Sequence, residues 1–178
     1  MHQFVHHKTV IAAILLFLTL GQDGSLAAQT GPVGFSISGA SVTEKDTFTV
    51  AVRADTLLTG WDVTAFRMYI TYSPTYFEFL GMEGTGPVLS GWGAPEINSA
   101  NAGTLIIGGA GADPLTGSGE MIYLRFRSNR SGNSTISFNS SESYLNEGNP
   151  ASAYSGGTVS SAALSYPNIY PDQQNMFI

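Results

Sequence analysis

The segment ADPLTGSGEMIYLRFR, residues 112–127, admits two readings, and the choice between them decides the fold. Two glycines flank a serine at Gly117-Ser118-Gly119, and an alternating apolar run comes directly after. As a nucleophile elbow, the loop lacks both the G-x-S-x-G pattern and a helix behind it. As a phosphate cradle, it lacks a Lys-Ser/Thr pair and the helix N-terminus that would hold the anion. The loop leads instead into EMIYLRFR, in which Ile122, Leu124 and Phe126 alternate with Met121, Tyr123, Arg125 and Arg127. Side chains on a strand point to opposite faces with a period of 2. The run is therefore a strand with one core face, and the glycine loop is the turn that launches it.

The same alternation recurs outward along the chain. VGFSIS sets Val33, Phe35 and Ile37 on one face, and TFTVAVRA sets Phe48, Val50, Val52 and Ala54 on one face. AFRMYITY alternates Phe66, Met68, Ile70 and Tyr72 with Arg67, Tyr69 and Thr71. Shorter candidates are YFEFLGM, GTLIIGG, STISF and GGTVSSA, separated by turn chemistry such as Ser73-Pro74 and Gly84-Thr85-Gly86-Pro87. Beyond the N-terminal segment, no sustained 3.6-residue apolar period occurs. Eight to nine short strands spaced by turns predict an all-β protein, an antiparallel β-sandwich of jelly-roll topology.

The N-terminal segment is of another kind. MHQFVHHK is weakly basic, and TVIAAILLFLTL is an unbroken run of 12 residues without charge. As a helix it would be about 18 Å long, too short for a bilayer core of about 30 Å. Ser25 and Ala27 suit the small-residue positions of a cleavage site, so residues 1–27 read as a secretory signal peptide. Its removal leaves 178 − 27 = 151 residues, with the sandwich expected over 31–161 and a tail or linker over 162–178. The protein is expected outside the cell or at its surface, with no membrane attachment after cleavage.

His2, His6 and His7 are the only histidines, and cysteine is absent. A mature chain without imidazole or thiol cannot run Ser-His-Asp or Cys-His chemistry, and it has no zinc ligands of the usual kind. No D-x-[DN]-x-[DN]-G calcium loop is present, so no cofactor is expected, although a loop-bound structural calcium stays open. Candidate carboxylates for a glycosidase pair sit largely in predicted turns, as Asp62, Asp113 and Glu147 do, where they are solvated or cap the backbone. The net charge is −6 with charged residues at 11%, which speaks against nucleic acid as a partner. Aromatics carry the remaining chemistry. Tyr69 and Tyr123 lie on polar strand faces beside Arg67 and Arg125, a composition that fits a protein-binding surface and an ordinary solvated sheet equally. Trp61 and Trp92 lie in glycine-flanked turns, where each either stacks on a sugar or closes one end of the core.

Five segments, in order, resemble a cohesin domain, the bacterial module that binds dockerin domains. They are VGFSISGASVTEKDTFTVAVRA, GWDVTAFRMYITYSPTYFEFLGM, GTLIIGGAG, PLTGSGEMIYLRFR and NEGNPASAYSGGTVS. Ser73 stands where the family's usual Asp precedes Pro, and SYPNIYPDQQNMFI is similar to the start of C-terminal sorting tails, with Ile169 in place of a proline. The resemblance implies a non-catalytic module whose partner is a dockerin-bearing protein. It implies docking on one flat sheet face through the third, fifth, sixth and eighth strands. Carried over by position, that face would show Arg67, Tyr69, Ile106, Gly108, Tyr123 and Arg125. Carbohydrate-binding modules share the jelly-roll fold, so the alternative partner is a polysaccharide held on Trp61 or Trp92. A purely structural adhesion domain is a third reading.

Overall fold

A computed structural model describes residues 30–165 of the chain. The signal-peptide reading of residues 1–27, and the tail beyond residue 165, lie outside the described residues.

Among the described residues, twelve strands and one 3-10 turn build a two-sheet sandwich. They are β1 (Val33–Ile37), β2 (Ala40–Thr43), β3 (Thr47–Ala54), β4 (Ala65–Tyr72), β5 (Phe77–Thr85) and β6 (Glu96–Asn98). The remainder are β7 (Thr104–Ala110), β8 (Gly119–Ser128), β9 (Gly132–Phe138), β10 (Tyr144–Leu145), β11 (Ser152–Ser155) and β12 (Gly157–Ala162). Sheet A has the order β11-β1-β3-β8-β5, and sheet B has the order β2-β12-β9-β4-β7-β6, with β10 added to β4. Both inner faces feed one core.

The predicted alternation sets that core. On β3, Phe48, Val50, Val52 and Ala54 are buried; on β4, Phe66, Met68 and Ile70; on β8, Ile122, Leu124 and Phe126. Phe126 is the hub. Its ring meets Phe48 at 5.7 Å, Phe79 at 5.4 Å and Phe77 at 6.4 Å within sheet A, and Tyr72 of sheet B at 5.3 Å. A fully buried ring of this kind stabilises the fold by about 1.5–3 kcal/mol. One residue breaks the period. Between Val52 and Arg53 the β3–β8 register shifts from Ile122 to Glu120, so Met121 has no partner on β3 and is buried beside Ile122.

Pairing is antiparallel, as the sequence predicts for the sandwich, except at two places that make the sheets mixed. β1 runs parallel to β11, and β2 runs parallel to β12. The reason lies in the chain ends: both terminal segments switch sheets midway, and they do so side by side. β1 passes to β2 through Ser38-Gly39, and β11 passes to β12 through Gly156. The backbones nearly touch there, since a Cβ on Gly39 would fall 2.8 Å from the Thr158 carbonyl oxygen. The extra strands β2, β10 and β11 are products of these crossings and of one loop, which is why the count exceeds eight to nine. Gly157 faces the Ser38 carbonyl across the same crossing. Gly157→Ala should therefore lower stability by about 1–3 kcal/mol, the usual cost of overpacking, measured by urea denaturation.

Tyr154 closes one side of the sandwich. Its ring stacks on Phe35 of sheet A at 5.8 Å and tilts against Phe138 of sheet B at 4.9 Å. Burial pushes its phenol above the ordinary value, and Ser152 offsets only part of that; no hydrogen bond of sound geometry reaches the hydroxyl. A folded value above the unfolded one, near 10, means a contribution intact below about pH 10 and lost as pH rises through the folded value. Thermal midpoints of wild type and Tyr154→Phe, measured from pH 8 to 11, should diverge above about pH 10, with the wild type falling further. Equal falls would show that Tyr154 plays no part in the alkaline loss of stability.

Candidate functional site: the outer face of sheet B

The face is organised by β4. One edge of β4 pairs with β7 along nearly its whole length, Ala65↔Ala110 to Thr71↔Thr104. The other edge is shared: β9 covers Ile70–Tyr72, and β10 covers Phe66 and Arg67. Between them the ladder breaks, and backbone groups left inside would need other partners. The Ser143 hydroxyl accepts the Tyr69 amide at 2.9 Å and donates to the Asn139 carbonyl at 2.8 Å, while the Asn139 amide donates to the Tyr69 carbonyl at 2.7 Å. Ser143 is only 6% exposed, which makes its hydroxyl part of the strand's hydrogen bonding.

Asn146 fastens the far end of this loop. It takes a positive φ of 44°. Its Oδ1 accepts the amides of Thr64 at 3.0 Å and Ala65 at 3.1 Å, and its Nδ2 donates to the carbonyls of Asp62 at 3.2 Å and Asn149 at 3.0 Å. The clamped loop brings Glu142 and Tyr144 up to Arg67. The Arg67–Glu142 ion pair spans 3.7 Å, and the guanidinium carbon lies 5.9 Å from the centre of the Tyr144 ring. The Tyr144 side chain raises the Arg67 pKa most, with a smaller contribution from the Glu142 charge and an opposing effect of desolvation, so the cation persists at any working pH.

Inward residues fix what faces out. With Phe66, Met68, Ile70, Leu105, Ile107 and Ile97 packed in or against the core, the outer face presents three cross-strand rows. Arg67 (β4), Gly108 (β7) and Glu96 (β6) form the first. Tyr69, Ile106 and Asn98 form the second, and Ser137, Thr71 and Thr104 the third. These rows hold few charges, and the face is rimmed at one corner by Tyr144, which is 39% exposed.

Arg67, Tyr69, Ile106 and Gly108 thus come together as expected. Tyr123 and Arg125 do not join them. They lie on the outer face of sheet A, where β8 sits between β3 and β5, and Arg125 is flanked by Thr49 and Gly81. The single-face expectation is corrected here, because β8 belongs to the other sheet. Once the short strands β2, β10 and β11 are set aside, the third, fifth, sixth and eighth strands in chain order are β4, β6, β7 and β9, and these four share sheet B. β8 is the seventh. Sequence reasoning did not place Glu142, Ser143, Tyr144 or Glu96 on a binding face; Glu96 and Glu142 figured there only as carboxylates for a glycosidase pair. A two-residue strand has no periodicity to detect, and β6 is only three residues long.

Both tryptophans are half-buried against the core. Trp92 lies nearly parallel to Phe66, with centroids 6.0 Å apart, donates its indole N–H to the Asp113 carbonyl at 3.0 Å, and packs on Gly111. It borders a hollow of about 460 Å³ with Ser90, Asp113 and Thr116. The Trp61 indole N–H is buried without a partner among the described residues. Among the described residues, no group of three or more His, Cys, Asp or Glu side chains is placed to hold a metal ion, and no helix is long and apolar enough to cross a membrane.

The comparisons with solved structures define the class. The chain has the cohesin fold. It is similar to the solution structure of CaCohA2 from Clostridium acetobutylicum, with a TM-score of 0.63 and 18% identity over 75% of this chain and 93% of that one. It is similar to the Coh-OlpC-Doc435 complex, a cohesin–dockerin complex from Clostridium thermocellum, at 0.62 and 16% over 77% and 99%. It is also similar to a non-cellulosomal cohesin of the archaeon Archaeoglobus fulgidus, at 0.58 and 15% over 76% and 93%. No protein-family model matches the sequence, and no curated protein does.

Replacing Asn146 with Ala removes the acceptor for two amides and keeps a positive φ. It should cost about 1–3 kcal/mol and speed hydrogen exchange at Ala65 and Tyr69, while the amides of β3 stay protected.

Proposed function

We propose that this chain is an exported, non-catalytic protein-binding module that takes a dockerin-bearing partner on the outer face of sheet B. Such a module would tether its partner within a polysaccharide-degrading or cell-surface assembly. The observation that carries this reading is the convergence of Arg67, Tyr69, Ile106 and Gly108 on adjacent strands β4 and β7, within the sheet that also holds β6 and β9. Several structures of the same fold were solved as complexes with dockerins. Interface chemistry agrees, since the centres of protein–protein interfaces are poor in charge and enriched in Tyr and Arg. Export rests on residues 1–27, and the lack of turnover rests on a mature chain without histidine or cysteine. The tryptophans give the carbohydrate reading less support, because both are engaged in packing against the core.

A panel of purified dockerin modules, tested by isothermal titration calorimetry, decides the matter. At least one should bind, and Tyr69→Ala and Ile106→Asp should each weaken it at least tenfold, about 1.4 kcal/mol. Tyr123→Ala and Arg125→Ala, on the opposite sheet, should leave affinity within about twofold. Binding lost through the sheet A pair and kept in the sheet B pair, or binding by no dockerin, would overturn the proposal.

A further inference from the structure

The first row of the face carries one cation and one anion. Arg67 and Glu96 are both cross-strand neighbours of Gly108, one on each side, so they stand two strand spacings apart, about 9.6 Å at about 4.8 Å per spacing. They do not pair with each other. Glu96 is exposed and makes no ion pair among the described residues. Arg67 lies 3.7 Å from Glu142, too long for a hydrogen bond, and against the Tyr144 side chain, so a guanidinium with five N–H donors keeps some for an incoming acceptor.

Between the two charges the surface is bare. A Cβ on Gly108 would meet only the Phe66 carbonyl oxygen, at 3.8 Å. The row therefore reads as cation, notch, anion. Its flank is the half-buried Tyr69–Ile106 pair of the second row, and the third row carries hydroxyls only.

An α-helix rises about 1.5 Å per residue, so residues i and i+7 lie about 10.5 Å apart on the same face, close to the Arg67–Glu96 spacing. The residues at i+3 and i+4 then fall over the middle, where only a small side chain lets the helix axis come close. We propose that the partner docks a helix across the strands along this row. The helix presents a carboxylate to Arg67, a lysine or arginine seven residues away to Glu96, and a Gly, Ala or Ser between them over Gly108. Arg67 and Glu96 are then specificity determinants. They select a partner helix by the sign and spacing of two charges and fix its direction across the sheet, while Tyr69 and Ile106 supply apolar contact to partners of either pattern. The planar guanidinium suits a carboxylate better than an ammonium would.

This inference rests on the docking reading above, and the experiment separates the two. In the dockerin panel, modules that bind should carry an acid and a base seven residues apart on one helix, with a small residue midway, and non-binders should lack that pattern. Against a binding module, Arg67→Gln should weaken affinity about tenfold or more, and Arg67→Lys should not restore it fully. Glu96→Lys should weaken it by a similar factor. Exchanging the acid and base on the dockerin helix should reverse the preference, favouring the Arg67→Glu/Glu96→Lys double variant over wild type. Unchanged melting temperatures would exclude an effect through folding. A module that binds wild type and both charge variants equally overturns this inference and leaves the docking reading intact. Recovery of no binder from the panel overturns both.

Discussion

Everything on the outer face of sheet B depends on how the hydrogen bonds of β4 are completed. A central strand must have both edges paired, yet no single strand covers the second edge of β4. β9 takes three residues, β10 takes two, and the gap is bridged by the Ser143 hydroxyl and the Asn139 amide. An unpaired buried backbone group costs about 1–3 kcal/mol, so the loop that supplies these groups is held as firmly as a strand. Its side chains are fixed as a consequence. Glu142 and Tyr144 reach Arg67 because Ser143, between them, is needed by Tyr69. The polar corner of the face is thus a by-product of backbone satisfaction in the strand beneath it.

The two outer faces divide the charge unevenly. Sheet A carries the ion pairs Arg53–Glu120 and Arg127–Glu78, with Lys45 and Arg125 nearby. Such exposed pairs contribute little to stability, but they keep a surface hydrated. Sheet B shows rows of Thr, Ser, Asn, Tyr and Ile with few charges, and a surface of that kind is easier to strip of water because few ions must be desolvated. The same division protects the open edges. β5 is interrupted by two register shifts, at Phe79/Gly81 and Met82/Gly84, and it bears Glu78 and Glu83; β6 is cut to three residues. Neither offers a long regular edge to a stray strand.

Much of this was legible in the sequence because the strand period is local. The inward sets of β3, β4 and β8 could be read from adjacent residues, and with them the core and the sandwich. Which sheet a strand joins could not be read. Period 2 separates inside from outside, but a sandwich has two outsides, and only non-local pairing assigns one of them. Tyr123 and Arg125 are outward as expected, on the other outside. The parallel pairs were hidden for a similar reason: a switch between sheets at Gly39 or Gly156 looks like an ordinary glycine turn until the partner backbone lies beside it. The Ser143 bridge has no sequence signal of its own, since a serine in a polar loop looks the same whether its hydroxyl meets water or a strand.

The separation of inward from outward residues also explains how a shared fold coexists with low identity. At 15–18% identity the chain keeps the cohesin fold, because the features that must be preserved are an alternation of apolar character and a few close backbone crossings. Outward positions are free of that requirement. Exchanging Arg67 or Glu96 for another polar residue disturbs no core contact, and neither side chain is used by the ladder that holds the sheet. The outward rows can therefore change without refolding the sandwich. Overall likeness therefore leaves the outward positions unspecified, whereas register alone sets the outward row Arg67–Gly108–Glu96, a cation and an anion two strands apart.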